Sequence, residues 1–340
     1  MSNGQINVVM RTIDTLHISD SLIVGTTSDA TTMTPTLCSS IFTIYVRLYI
    51  QKLHMLPLKY LHSPLPFYAK PVSCERSTLE LFSCKDLLCA FKIDGYRQFL
   101  VVVHLSGVDH VCMYDCNWKG HLLHTQTVNR ARNGVIYMFD TEMLDNTFHV
   151  HDILVFEGAS TVQRLFTIRY NIYTKVVKEI FENCTINVIP KIFQPVNMML
   201  SRDIHFPDKC DGLIFVEAVA KVTFGTDWGT MKWKPPHLNT VDMLLVDGAF
   251  YVMNDNTKDK VKESVHIVPP HIPSGSICEM RPCWQDNHLI WVFKNVRTDK
   301  NRANSVVAYN GAKKSFRDNI TVDVLRATLA PQSTSKNPRI

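Results

Sequence analysis

At 340 residues, 46% hydrophobic and 20% charged, the chain is long enough to bury a sizeable core and reads as two domains rather than one. Its formal charge of +5 and pI near 8.6 suit an anionic partner such as nucleotide or RNA without establishing one. Ten cysteines are scattered along a chain that opens MSNGQINVV with no basic and apolar leader, which argues against a disulfide-stapled secreted module and predicts reduced thiols.

Residues up to Pro35 are rich in Thr, Ser and Asp with short apolar islands and predict a poorly packed beginning or a small strand pair. Leu37 to Leu56 is the most apolar stretch, but Arg47, Gln51 and Lys52 interrupt it, so it predicts no membrane span. It reads as a soluble helix with Phe42, Tyr45, Val46 and Tyr49 on one face. Pro57, Pro64, Pro66 and Pro71 form a connector to Ser77-Thr78-Leu79-Glu80, which has the spacing of a capping box. Two buried strands, Leu87 to Phe91 and Phe99 to Val103, then flank the turn Lys92-Ile93-Asp94-Gly95-Tyr96-Arg97. Apolar runs follow at 99–105, 108–114, 135–139 and 148–156 without long helical intervals, which predicts mixed antiparallel sheets in an α+β fold. A helix is expected from Arg164 to about Phe181, and strands at 212–219 and 230–233 before Pro235-Pro236.

The domain boundary is placed at those prolines: residues 1–236 as the first domain, 237–318 as a small β-barrel with turns at Asp247-Gly248 and Ser274-Gly275, 319–330 as a C-terminal helix packing back on the first domain, and 331–340 as a loose tail. His110, Cys112, Cys116, His121 and His124 are the nearest approach to a metal pattern, and their spacing matches no familiar zinc knuckle.

The lysine turn is a weak signal alone, since Lys-x-Asp-Gly is common in solvated hairpins. A lysine acts as a nucleophile only after losing its proton, so its surroundings must favour the neutral amine. Three other segments place charge among apolar neighbours: Phe139-Asp140-Thr141-Glu142, Val150-His151-Asp152 and Cys210-Asp211-Gly212. Asp152 reads equally well as a satisfied turn carboxylate. Met231-Lys232-Trp233-Lys234 sets two lysines on one face of an extended segment, because alternate residues of a strand point the same way.

In order, KIDGYR, FDTEML, FHVHDIL, CDGLIF and MKWKP resemble the motifs of the covalent nucleotidyltransferase superfamily of capping guanylyltransferases and polynucleotide ligases. Trp291 through Lys300, with Asn304 beyond, resembles the last motif of capping enzymes, and the chain is most similar to the compact enzymes of large DNA viruses. The resemblance implies a nucleotidyltransferase domain followed by an OB-fold domain. It implies that Lys92 attacks the α-phosphate of GTP, that Lys232 and Lys234 hold that phosphate, and that Asp211 meets a divalent metal (Mg2+ or Mn2+) or the nucleophile's proton. Arg97 and Glu142 would contact the ribose side, Glu142 also counting as a metal ligand, with Asp94 among the nucleotide-binding residues. His151 and Ile214 would flank the guanine, and Arg297, Asp299 and Lys300 would act from the second domain.

The partners implied are GTP and the 5′-diphosphate end of RNA, with a triphosphatase and a cap methyltransferase on other polypeptides, in the nucleus or cytoplasm and away from membranes. Three positions depart from the family pattern: Thr141 stands where glycine is usual, Cys116 where arginine is common, and His151 where an aromatic stacks on guanine. An ATP-dependent ligase, or a catalytically silent RNA-binding module, are the alternatives.

Overall fold

The computed structural model describes residues 36–53, 69–115, 118–128, 130, 133–266, 271–298 and 300–330. The expectations for the first 35 residues, the connector prolines at 57, 64 and 66, Cys116, Asp299 and the tail after 330 lie outside the described residues. The chain forms two compact units interleaved along the sequence: one from residues up to Pro71, Ile93–Phe193 and Val216–Thr230, the other from Val72–Lys92, Gln194–Phe215 and Met231 onward.

The first unit is built on an eight-stranded sheet. In chain order its pieces are β1 (Thr36–Leu37), α1 (Ser40–Lys52), part of β2 (Ala69–Ser73), then, after α2 (Arg76–Phe82) and most of β3 (Leu87–Ile93), the run β4 (Tyr96–Leu105), β5 (Val108–Tyr114), β6 (Gly120–Thr127), β7 (Gly134–Leu144), β8 (Thr147–Phe156) and β9 (Ala159–Ser160), followed by α3 (Phe166–Phe181) and β10 (Asn187–Pro190). The strand order is β1-β6-β5-β4-β7-β8-β10, with the short β9 off this path and paired to β8, and all pairs are antiparallel except that of β10 with β8.

β4 is apolar at successive positions because both its faces are covered. Phe99, Val101 and Val103 pack with Phe42, Tyr45, Val46 and Tyr49 of α1, while Leu100 and Val102 pack with Tyr173, Val177 and Phe181 of α3. The helix read from 37 to 56 therefore keeps its predicted face, although it begins only at Ser40 and Leu37 belongs to β1. Asp152 is held by a fork from Arg169, Nε to Oδ1 at 2.7 Å and Nη2 to Oδ2 at 2.9 Å, and so is structural.

The second unit holds two cores. β11 (Gln194–Pro195), α4 (Val196–Leu200), most of β12 (Cys210–Glu217) and the end of β13 (Gly225–Trp233), from Met231, belong to it, and the strands form a five-stranded sheet of order β11-β3-β12-β13-β2. Leu87, Cys89, Leu213, Phe215, Met231 and Trp233 of that sheet pack against α2, α4 and a C-terminal helix. The other core lies under β14 (Val241–Val246), β15 (Ala249–Asn254), β16 (Thr257–Lys260), β17 (Val265–His266), β18 (Ile277–Gln285) and β19 (His288–Val296), ordered β16-β15-β14-β18-β19-β17. The chain ends in α5 (Val306–Asp318) and α6 (Val322–Leu329).

Two helix boundaries differ from the sequence reading. α2 begins at Arg76, one residue before the expected box, and its N-cap Glu75 makes no side-chain capping bond, while its carboxylate pairs with Lys314 of α5. Asn319 does not open the last helix. It closes α5 in the left-handed conformation (φ 46°), a role asparagine fills more readily than most residues, and Thr321 caps α6 instead. α5 itself was not anticipated. Leu325 and Leu329 of α6 and Ile320 join the core of the five-stranded sheet, and Trp233 Nε1 donates to Ile320 O at 2.7 Å.

Candidate active site

Lys92 stands near the end of β3. Leu87 and Cys89 enter the core, and Phe91 packs against it, so strand alternation turns Lys92 to the other face. Its Nζ donates to Asp211 Oδ1 at 2.8 Å, and Lys234 Nζ pairs with Asp211 Oδ2. One carboxylate thus sits between two lysine nitrogens. Gly212 makes this possible: a Cβ there would lie 2.0 Å from the carbonyl oxygen of Trp233, so only glycine lets β12 approach β13 closely enough to deliver Asp211 to Lys234. Burial pushes the Asp211 carboxyl up, but the charges of Lys234 and Lys92 outweigh it and hold the group below its ordinary value. Lys232 lies between buried Met231 and Trp233 and is exposed, on the face that Lys234 shares. Ile214 is half-buried between the core residues Leu213 and Phe215.

A second cluster belongs to the first unit. Ladder register sets Arg97 opposite Glu142 and Phe99 opposite Asp140, so Arg97, Asp140 and Glu142 rise from one face of the sheet. Arg97 forks onto Asp140, with Nε to Oδ1 at 2.8 Å and Nη2 to Oδ2, and its Nη1 donates to Ala69 O at 2.6 Å. His151 Nε2 lies 3.2 Å from Asp140 Oδ1. Burial alone would raise the Asp140 carboxyl, yet Arg97 and His151 together hold it far below the usual carboxylate range. Asp94 is exposed in the turn before β4. Gly95 is required by close approach, since a Cβ would sit 2.5 Å from Met143 O and 3.0 Å from Glu142 Cγ. Thr141 tolerates its departure from glycine: it is fully buried and its hydroxyl donates to Gln98 O at 2.8 Å.

The C-terminal motif forms a third cluster, within the second unit. Asp242 of β14 is buried, and Arg297 Nη1 reaches its Oδ1 at 3.2 Å while Lys300 pairs with Oδ2. Asn304 closes the loop, its side chain accepting from Asp242 N and its own N–H donating to Asp242 O, both at 2.8 Å. Lys119, the nearest cation to the missing arginine, closes a turn through its backbone N–H on Asp115 Oδ1 at 2.8 Å.

Sequence reasoning missed Asp140 and Asp242 as organisers. The available signal was an acid inside an apolar strand, at Phe139-Asp140 and Val241-Asp242-Met243, which demands a partner. Nothing local said that the partners would be Arg97 and Arg297. The donor set does not present a ready metal site: both Asp211 oxygens are taken by lysines, and among the described residues no group of three or more His, Cys, Asp or Glu could hold an ion. Among the described residues no helix is long and apolar enough to cross a membrane.

A lysine joined to a carboxylate and a second lysine at the strand ends of a mixed α+β scaffold belongs to the nucleotidyltransferase class. The model of the mRNA capping enzyme catalytic domain matches residues 46–236, more than half of the sequence, and the chain belongs to that family. The mRNA-capping enzyme subunit alpha of Schizosaccharomyces pombe is 22% identical over 323 residues, spanning 76% of this chain and 78% of that protein. Among solved structures, the ATP-dependent DNA ligase of bacteriophage T7 in complex with ATP is 12% identical, with 68% of this chain and 99% of that chain covered and a TM-score of 0.38. The ligase domain of M. tuberculosis LigD is also 12% identical, with 69% and 95% covered and a TM-score of 0.31.

Proposed function

We propose that the protein is an mRNA guanylyltransferase. Lys92 Nζ, once its proton has left, attacks the α-phosphorus of GTP; a P–N bond forms, the bond to the β-phosphate oxygen breaks, and pyrophosphate departs. The 5′-diphosphate end of an RNA then attacks the lysyl-GMP, releasing Lys92 and forming the GpppN cap. Asp211, its carboxyl held low, is a poor proton acceptor, so its part is to orient Lys92 and Lys234. Lys234 and Lys232 offset the negative charge that builds on the α-phosphate, which is where preorganised cations act most strongly. Arg97 and Glu142 take the ribose side, with Asp94, His151 and Ile214 completing the nucleotide contacts. The six-stranded sheet of the second unit is read as the OB-fold domain, with Arg297, Asp299 and Lys300 acting on the leaving pyrophosphate, Arg297 and Lys300 after exchanging Asp242 for phosphate. The same reading implies a divalent cation with the nucleotide, a separate triphosphatase and methyltransferase, and a compartment in which transcripts are made.

The observation that carries this reading is the Lys92–Asp211–Lys234 cluster, inside the region matched by the capping-enzyme family. Incubation with α-labelled GTP and Mg2+ or Mn2+ is expected to give an acid-stable adduct on the wild type and none on Lys92→Ala. Labelling by ATP in place of GTP would make the protein a ligase, and equal labelling of the variant would remove Lys92 as nucleophile.

A further inference from the structure

Residues 257–263 read TKDKVKE, and in an extended segment this alternation sorts charge by sign. β16 covers the first four, and Val261 N continues the pairing onto Phe250 O at 2.9 Å. Lys258, Lys260 and Lys262 are exposed on one side, about 6.6 Å from one to the next. The residues between them turn the other way: Val261 enters the core, Asp259 accepts from Asn254 Nδ2 at 3.1 Å, and Glu263 is held by Tyr309 and Lys313. No ion pair engages the three lysines among the described residues. Lysines on a terminal strand discourage edge-to-edge pairing, but that purpose alone does not require the acids of the same segment to face away.

Strand register links this stripe to the C-terminal motif. Lys260 lies opposite Tyr251 and Lys258 opposite Met253 of β15, and Tyr251 lies opposite Leu244 of β14. Val241, Met243 and Leu245 enter the core, so Asp242, which holds Arg297 and Lys300, shares the side of Leu244. The stripe, the half-buried Tyr251 and Asp242 therefore stand on one face of three neighbouring strands, with β14 and β16 about 10 Å apart. We propose that this face binds single-stranded RNA, with Lys258, Lys260 and Lys262 on successive backbone phosphates and Tyr251 stacked on a base. A row of cations that tracks the backbone, beside an aromatic that any base can cover, is what a single strand requires. The inference rests on the guanylyltransferase reading for the choice of RNA among polyanions, and deepens it by giving the body of the RNA a site of its own.

An unstructured RNA oligonucleotide with a 5′-hydroxyl cannot be capped, so its affinity for the full chain, read by fluorescence anisotropy over a salt series, separates binding from catalysis. Lys258→Gln, Lys260→Gln and Lys262→Gln combined should weaken binding at least tenfold. They should also lower the slope of log K against log salt by about 2, three phosphate contacts at about 0.7 each. Arginine at all three positions should retain both. Tyr251→Leu should cost at least threefold with the slope unchanged, because stacking releases no counterions. Unchanged RNA affinity in the triple glutamine variant, at wild-type Tm, overturns the proposal, as does a wild type that binds no RNA. Should the triple variant unfold, Lys260→Gln alone is expected to lower the slope by about 0.7, and an unchanged slope overturns the proposal equally. Loss of polyglutamate binding with RNA binding intact would make the face a docking site for an acidic protein and would also overturn it. Lysyl-GMP formation by the triple variant should stay within about twofold of wild type. A wild type that does not label with GTP sinks the guanylyltransferase reading alone, while the RNA titration still decides the role of this face.

Discussion

Asp140 and Asp211 are each one carboxylate shared by two basic side chains, and they differ in how far the charges are withdrawn from water. Asp140 is 6% exposed and gripped by a planar guanidinium fork, whereas Asp211 is 17% exposed and meets two flexible lysines through single contacts. A fork fixes direction as well as distance, while a lysine nitrogen on a four-carbon stem can leave and return. The first cluster is therefore suited to hold a geometry. The second is suited to exchange one of its members for a phosphate.

The largest expected consequence concerns the open cluster. Asp211→Asn should lower the rate of lysyl-GMP formation by about a hundredfold or more, while moving Tm by about 2 °C or less. A labelling rate near wild type would show that Lys92 is oriented by something else, and a collapse of Tm would make Asp211 a structural residue like Asp152.

Acid should separate the two carboxylates next. Both have folded-state values depressed below the unfolded value of about 3.9. The stability each contributes is complete above that value and is lost as pH falls through the folded-state value. The Tm gap between wild type and Asp140→Asn should thus be full at neutral pH and narrow only below the ordinary carboxylate range. It should exceed the corresponding gap for Asp211→Asn, because solvent screens the more open cluster. A gap that grows on acidification would mean that Asp140 is protonated in the folded protein. The smallest effect is expected at Thr141→Gly, which restores the family residue but deletes a buried hydroxyl bonded to Gln98 O and loosens the strand, for a loss of about 1 kcal/mol in chemical denaturation. A gain in stability would show that the threonine is strained.

Much of the first unit's sheet could be read from the chain, because β4, β5, β7 and β8 are long apolar runs between turn signals, and burial on two faces leaves an unambiguous signature. α5 could not. Its buried residues are few, Tyr309 and Phe316 among them, and its polar surface resembles that of the loops and strands expected around it. The capping-box spacing at Ser77 misled too: the helix starts at Arg76, and the residue before it, Glu75, makes no capping bond and pairs with Lys314, distant in sequence.

The order and spacing of KIDGYR, FDTEML, CDGLIF and MKWKP marked the family, and in two of them the glycine beside the charged residues, Gly95 and Gly212, is where the backbone must approach a neighbouring strand closely. Tertiary structure alone decided which charges meet. Lys92 finds Asp211 across 119 residues, Arg97 finds Asp140 across 43 and Lys300 finds Asp242 across 58. Sequence can mark an acid in an apolar strand as needing a partner, but the choice among many lysines and arginines is made by strand register and the close approach of backbones, which are properties of the folded chain.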